Sequence, residues 1–281
     1  MRLVTSIVSV YGYDCFCYAV GTEENTKMAR YIIAVTNQKG GVGKTTTAVN
    51  LAAQLATAKR RVVLVDLDPQ GNATSSLGID KDAVAHTLYD VLISKVGPAD
   101  IVLPTNVQNL FVLPTNNQLA QAEVDLVSMT GREFRLKEAL AQVDAEVVVI
   151  DCPPALGLLT VNALSAANQV LIPVQAEYFA LEGLSQLLGT IQQVRGGLNP
   201  HLEILGVVLT MFTKRTVLSE QVQAEVAQHF GDKLFKTVIP RNVRLAEAPS
   251  YGRTIFEHDK WSKGARAYKN LGSEVIKRLS L

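Results

Sequence analysis

The sequence predicts an α/β fold in which a mostly parallel, twisted sheet of about 7–8 strands carries helices on both faces. Short, continuous runs of apolar and β-branched residues recur along the chain, which is the pattern of strands buried on both faces. Stretches with helical periodicity separate these runs, and such alternation implies parallel strands joined by right-handed crossovers. No Pro/Ser-rich linker and no internal repeat interrupts the alternation, which favours one domain over residues 28–281.

The predicted strands follow one another along the chain, each bounded by loop or helical sequence. The first, at residues 31–36, is short, apolar and rich in β-branched residues. The later strand-like runs are residues 61–66, 110–113, 147–151, 170–174, 204–210 and 237–239.

The predicted helices lie between these strands and after the last one. The first, at residues 45–58, is rich in alanine and leucine, and the others are residues 133–141, 181–195, 219–230 and 265–279. The last helix places five apolar residues on one face, so we expect that face to pack on the core. These residues are Ala265, Tyr268, Leu271, Val275 and Leu279.

The composition excludes several classes of protein. The chain has 281 residues, 48% of them apolar, and a net charge of +1, so it is not disordered as a whole. The same charge excludes a protein that coats nucleic acid by bulk charge, although it permits a local basic patch. Three cysteines are too few for a disulfide framework or a four-ligand zinc site in one chain, which suits a reducing cytoplasm.

The first 27 residues do not share the pattern of the rest. The apolar run at residues 3–13 ends at Asp14 and is shorter than the roughly 18–20 residues of a membrane-spanning helix. No Ala-x-Ala cleavage site follows it, so a secretory signal is not favoured. We expect residues 1–27 to be a poorly ordered N-terminal extension, with Met28 as an alternative true start of the protein.

Residues 38–46 join the first strand to the first helix and read Gln-Lys-Gly-Gly-Val-Gly-Lys-Thr-Thr. Glycines in such a loop let backbone N–H groups line a concavity for phosphate oxygens, and the helix N-terminus adds a partial positive charge. We expect Lys44 to reach the β/γ-phosphates of a nucleotide and the Thr45 hydroxyl to bind Mg²⁺. The loop departs from the usual G-x-x-x-x-G-K-[ST] pattern because Gln38 replaces the first glycine and Lys39 adds a second lysine. The predicted fold is therefore that of a P-loop NTPase.

Three aspartates follow the ends of predicted strands near this loop. Asp66 and Asp151 end two strands, and a carboxylate there suits Mg²⁺ held through water. We assign Asp151 to that role, with Asp66 supporting it. If its strand continues, Asp68 points to the same side as Asp66.

Four motifs in order resemble those of one family. Lys39-Gly-Gly-Val-Gly-Lys-Thr-Thr is similar to the deviant Walker A box of the ParA/MinD ATPases. Residues 65–72 resemble the second box of ParA, and residues 150–154 resemble its Walker B box. Residues 239–250 resemble a late block of the chromosomal ParA (Soj) branch. The resemblance runs from Tyr31 to the end of the chain.

The resemblance implies an ATPase that is slow and stimulated by a partner. Lys39 would cross a dimer interface to the partner's phosphates, so that Mg²⁺ and ATP are sandwiched between two protomers, and Asp68 would orient the attacking water. The phosphate loop itself would consist of Lys39, Gly40, Gly41, Val42, Gly43, Lys44, Thr45 and Thr46. Adenine would be held by Met211, Pro240 and Asn242, of which the thioether can pack on a base and the amide can bind its edge.

Five cations in late loops are candidate DNA contacts: Lys214, Arg215, Arg241, Arg244 and Arg253. Their spacing alone suits an ordinary solvated face, whereas the resemblance implies non-specific binding of DNA phosphates by the ATP dimer. It also implies a ParB-type centromere-binding partner that stimulates hydrolysis and release, a role in chromosome or plasmid partitioning, and a cytoplasmic, nucleoid-associated location.

Three other functions share this type of core. A MinD-like membrane-surface switch ends in an amphipathic helix, but residues 268–281 carry one aromatic on the apolar face, and Gly272 weakens a free helix. We therefore expect no membrane partner. A nitrogenase-reductase-like carrier needs two cysteines per chain for its cluster, and only Cys152 lies in the matching region. The third, an amide-forming biosynthetic enzyme, is disfavoured by the ParA-like motifs.

Overall fold

The computed structural model describes residues 31–56, 60–177, 182–214 and 216–281. The N-terminal extension predicted for residues 1–27 and the predicted last two residues of the first helix lie outside the described residues. Within them the strands are β1 (Tyr31–Val35), β2 (Val62–Asp66), β3 (Leu103–Pro104), β4 (Leu110–Leu113), β5 (Val147–Asp151), β6 (Gln169–Gln175) and β7 (Glu203–Thr210).

These seven strands form one sheet in the order β3-β4-β2-β5-β1-β6-β7. Every neighbouring pair is parallel except β3 and β4 at one edge, which are antiparallel. This arrangement confirms the predicted α/β class. The carboxyl ends of the central strands meet at one edge of the sheet, where ligands bind in such folds.

The helices are α1 (Lys44–Ala56), α2 (Asn72–Ser76), α3 (Leu88–Leu92), α4 (Leu119–Asp125), α5 (Arg135–Leu140), α6 (Leu158–Ala166), α7 (Glu182–Gly197), α8 (Val217–Phe230), α9 (Val243–Glu247), α10 (Ile255–His258) and α11 (Lys263–Leu279). The stretch expected as one helix at residues 133–141 is a 3₁₀ turn at Arg132–Phe134 followed by α5.

The sheet separates two apolar layers, because successive side chains of a strand point to opposite faces. Ala34 and Ile150 face the layer that contains α3 to α8, whereas Ile33 and Val149 face the layer that contains α1 and α11. The predicted apolar face of α11 is buried in the second layer, which confirms it. The Tyr268 hydroxyl lies 3.1 Å from the Thr47 hydroxyl and ties α11 to α1.

The strand expected at residues 237–239 does not form, so that prediction is wrong. This segment meets the sheet at single bridges, of which Phe212 with Pro240 is one. The N–H of Thr237 donates to the Glu274 carboxylate on α11 at 2.9 Å. Because the Thr237 N–H is used in this way, only isolated bonds to β7 form, such as that from the Ile239 N–H to the Leu209 carbonyl at 2.8 Å. The edge strand β3 was not predicted, because two residues are too few to show a period.

None of the helices among the described residues combines the length and the apolar character needed to cross a lipid bilayer.

Candidate nucleotide-binding site

The loop between β1 and α1 is held open by side chains from the neighbouring strands. The Thr210 hydroxyl at the end of β7 donates to the Val42 carbonyl at 2.8 Å. Asn37 donates to the Pro173 carbonyl of β6 at 2.7 Å and accepts the Lys39 N–H at 3.0 Å. Gly43 has a φ of 85°, a left-handed conformation that strains other residues. The loop is therefore a fixed concavity rather than a loose turn. Sequence reasoning missed Asn37 and Thr210, although both follow or end strands at this edge.

The two lysines of the loop differ in their surroundings. Lys44, the first residue of α1, is 7% exposed, and its ammonium donates to the Lys39 carbonyl at 3.1 Å. Burial lowers the pKa of Lys44, while the charges of Asp151 and Asp68 act in the opposite direction. The side chain of Lys39 is 39% exposed, and its ammonium lies 3.7 Å from the Glu177 carboxylate. One lysine thus faces the inside of the loop, and the other is accessible from outside.

Asp66 and Asp151 are partners in the register of β2 and β5, and both are fully buried. One oxygen of Asp66 accepts hydrogen bonds from the N–H and the hydroxyl of Thr74, each at 2.7 Å. Burial raises the pKa of Asp66 to about 7, although these hydrogen bonds lower it in part. Asp66 therefore fixes α2 against the end of β2. Thr74 carried no sequence signal for this contact.

Asp151 differs, since neither of its buried oxygens has a partner at normal hydrogen-bond geometry in the part of the chain that the structure describes, although the Thr45 hydroxyl is close enough to affect its pKa. Burial, and next the charge of Asp66, raise the pKa of Asp151 well above its ordinary range, while Thr45 and Lys44 lower it in part. Two orphaned carboxylate oxygens beside a phosphate loop fit a cation that they contact through water.

A cation at this point would depend on ligands beyond the protein. Across the described residues no group of three or more His, Cys, Asp or Glu side chains could hold a metal ion by itself. Mg²⁺ commonly takes one or two carboxylates together with water and substrate phosphates, so the donor set fits that ion.

Asp68 lies near the other acids but not for the reason that strand alternation suggested. β2 ends at Asp66, and residues 68–71 form a turn in which the Asp68 carbonyl accepts the Gly71 N–H at 2.8 Å. The condition on which the expected direction of Asp68 depended, a strand that continues past Asp66, is therefore not met. The Asp68 carboxylate accepts the Gln70 N–H at 3.0 Å, and its charge acts on both Asp151 and Lys44.

The three candidate adenine contacts lie in segments that meet just beyond β7. Met211 directly follows β7, and its neighbour Phe212 bridges Pro240, two residues before Asn242. Met211 adopts a left-handed conformation with φ of 50°. The side-chain oxygen of Asn242 is buried with no partner among the described residues, so an amide is available there to bind the edge of a base.

The candidate DNA-contacting cations divide into exposed and ion-paired groups. Lys214 and Arg253 are exposed, and Arg215 lies outside the described residues. Arg241 lies 3.7 Å from Glu177, and Arg244 lies 2.8 Å from Glu247. Arg244 also lies 3.6 Å from Asp259.

A groove of about 1150 Å³ brings Lys214 and Arg241 beside three further cations. The added residues, which the sequence did not single out, are Lys236, Lys263 and Arg266. They belong to a connecting segment and to the first turn of α11, so only the fold places them together.

Comparison with known proteins agrees with the interpretation of this site as a nucleotide-binding site. A family profile described as an AAA domain matches residues 30–204. The sporulation initiation inhibitor protein Soj of Bacillus subtilis (strain 168) is 57% identical over 246 residues, which are 87% of this chain and 97% of that protein. The chromosome partitioning protein ParA of Myxococcus xanthus (strain DK1622) is 53% identical over 249 residues, or 88% of each chain.

A crystal structure from Mycobacterium smegmatis, described as cobyrinic acid a,c-diamide synthase with bound ATP analog and magnesium, has the same fold. It is 40% identical with a TM-score of 0.78, and the match covers 89% of this chain and 96% of that one. These relatives confirm the resemblance drawn from the motifs. The chain belongs to the chromosomal ParA (Soj) branch of the ParA/MinD family of P-loop ATPases.

Proposed function

We propose that this protein partitions DNA by a cycle in which ATP joins two protomers, the dimer binds DNA, and hydrolysis releases it. The observation that carries the proposal is the contrast within one phosphate loop. Lys44 is buried and directed into the loop, whereas Lys39 is exposed and available to a second molecule. The relatives named as chromosome partitioning proteins support the same cycle.

In this proposal the loop residues 39–46 enclose the triphosphate of ATP. The Lys44 ammonium, which donates to a backbone carbonyl here, would donate to the β- and γ-phosphates instead. The Thr45 hydroxyl and the orphaned Asp151 carboxylate, the latter through water, would hold Mg²⁺. Mg²⁺ neutralises charge that develops on the phosphate oxygens during transfer. Asp66 supports this arrangement from behind by fixing α2.

Hydrolysis would depend on two further residues. Asp68 lies in the turn after β2, where its carboxylate can orient a water molecule toward the γ-phosphate. Lys39 would reach the phosphates of the partner protomer, so the complete charge environment forms only in the dimer. Because the site is complete only in the dimer, ATP hydrolysis by the monomer would be slow. A ParB-type partner would stimulate hydrolysis by the dimer.

The adenine base would lie against Met211 and Pro240. A thioether and a proline ring offer apolar surface to a base, and the unpaired Asn242 oxygen can accept from an exocyclic amine. This assignment explains why a buried amide oxygen has no partner among the described residues.

DNA would bind to the cationic groove and the loop cations around it. Phosphate contacts require positive side chains gathered on one surface, and the groove gathers five of them. Dimerisation doubles this surface, so a chain with a net charge of +1 would bind DNA firmly only when ATP is present. The protein would then be nucleoid-associated.

Two alternative functions are less well supported. For the membrane-surface switch, the apolar face of α11 is buried in the core and therefore not available to lipid. For the amide-forming enzyme, the M. smegmatis structure carries such a name, but its 40% identity is below the 57% of B. subtilis Soj.

Light scattering of the full chain with Mg²⁺ and a non-hydrolysable ATP analogue tests the proposal. The wild-type mass should double from 30.4 kDa. Lys39→Ala should still bind a fluorescent nucleotide but remain monomeric with the analogue, because only the contact across the interface is lost. A Lys39→Ala protein that still dimerises with the analogue would refute the role given to Lys39.

A further inference from the structure

Glu177 follows the carboxyl end of β6 and meets both cations that border the nucleotide site. Its Oε2 lies 3.7 Å from the Lys39 ammonium, and its Oε1 lies 3.7 Å from the Arg241 guanidinium. Gln175 donates to Oε1 at 2.5 Å, which fixes the carboxylate beside the phosphate loop. No sequence motif marks Glu177 as a site residue.

The contact between Glu177 and Lys39 involves the one loop lysine that the proposed dimer needs. In a dimer, Lys39 would exchange its carboxylate partner for a phosphate of the other protomer. The two side chains are 46% and 39% exposed, so the ion pair is weakened by solvent and can be broken at small cost. The Glu177 carboxylate therefore competes with phosphate for Lys39 but does not prevent Lys39 from binding phosphate.

We propose that Glu177 is a positioning residue that holds Lys39 in the nucleotide-free protomer and releases it when ATP brings two protomers together. Glu177 thereby opposes dimerisation in the absence of nucleotide. The inference rests on the proposed function, because it assumes that Lys39 acts across a dimer interface.

The test measures the concentration of a non-hydrolysable ATP analogue at which half of the protein is dimeric, using light scattering with Mg²⁺. Glu177→Gln keeps the size of the side chain and removes its charge, so half-dimerisation should occur at a two- to fivefold lower analogue concentration. Glu177→Asp keeps the charge and should remain closer to wild type. Glu203→Gln, at the amino end of the neighbouring strand β7, should match wild type.

ADP affinity provides the readout that separates this role from a general effect on the pocket. Glu177→Gln should bind ADP as wild type does, because its contact with Lys39 matters only for the interface. An unchanged or higher half-dimerisation concentration for Glu177→Gln, an equal shift in Glu203→Gln, or a changed ADP affinity would each overturn the inference. If wild type itself stays monomeric with the analogue, the proposed function has failed instead.

Discussion

At the scale of single residues, the phosphate loop depends on two lysines with different environments. Lys44 begins α1 and is enclosed by the acids behind the loop, whereas Lys39 lies at the loop's outer side. The enclosed ammonium of Lys44 can act on a ligand bound in its own loop. The more exposed ammonium of Lys39 can reach a second molecule. The proposed division of labour agrees with this difference in burial, while the action of Lys39 on a second protomer is what the family resemblance implies.

Asp68→Ala tests the step that follows nucleotide binding. We expect dimers to form with ATP and to persist, because the carboxylate that orients water is lost while Lys44 and Lys39 remain. ATP turnover should fall by about 10²-fold or more, in the range typical for loss of a general base. Phosphate release measured beside light scattering checks this, and unchanged turnover would remove Asp68 from the mechanism.

The sequence predicted residues of this site where a motif marks them. Lys44, Thr45 and Asp151 lie together as their positions at strand and helix ends indicated. It could not predict the direction of Asp68, because β2 ends at Asp66 and strand alternation does not reach that residue. It also missed Glu177, since a single glutamate after a strand looks like any surface carboxylate until the fold places two cations beside it.

At the scale of elements, α11 supports the phosphate loop indirectly by packing on α1. Their approach is close at Gly272, where an added Cβ would lie 2.4 Å from Cγ of Gln54. Gly272, which weakens this segment as a free helix, therefore allows α11 to pack closely against α1. Periodicity predicted the buried face of α11, but it could not show which neighbour the glycine meets.

Two glycine substitutions should change stability in opposite directions. Gly189→Ala in the interior of α7 meets no atom within 4 Å and should stabilise the fold by about 0.5–1 kcal/mol through helix propensity. Gly272→Ala gains the same propensity but forces Gln54 aside, so we expect a net loss of about 1–3 kcal/mol. Urea unfolding of both variants measures this difference. Equal stabilisation by the two alanines would contradict the close packing of α11 on α1.

Strand and helix boundaries were predicted best where the runs were long and apolar. β5 has its predicted bounds because all of its residues are buried, those before the last are β-branched, and the strand ends at Asp151. The strand at residues 237–239 failed because the Thr237 N–H donates to Glu274, a contact that no local pattern records, although the Ile239 N–H still donates to the Leu209 carbonyl of β7. The helix expected at residues 133–141 is shortened by a preceding 3₁₀ turn.

The loop cations should differ in their effect on DNA binding. Arg253→Ala should weaken binding to all sequences alike and reduce the salt dependence by about one phosphate contact, because Arg253 is exposed. Arg244→Ala should have a smaller effect, since Glu247 and Asp259 already compensate its charge. Lys137→Ala on α5, outside the groove, serves as the control. Filter binding over a salt series checks this order of effects on DNA affinity. An Arg253→Ala protein that binds DNA like the Lys137→Ala control would contradict the prediction.

At the scale of the whole molecule, the near-neutral charge and the local cationic groove suit reversible attachment. A chain with 27 basic and 26 acidic side chains has little general attraction for DNA. Five cations lining one groove give it a surface that becomes effective when two copies act together. In the proposed cycle, loss of the dimer would lower the affinity for DNA.

The most direct test is co-sedimentation of the full chain with duplex DNA and with anionic liposomes, each with and without ATP and Mg²⁺. We expect sedimentation with DNA only when ATP is present, loss of that binding at high salt, and no binding by Lys44→Ala under any condition. We expect no sedimentation with liposomes. Binding to liposomes instead of DNA, or binding to DNA that is equal with and without ATP, would contradict the proposed ATP-dependent partitioning cycle.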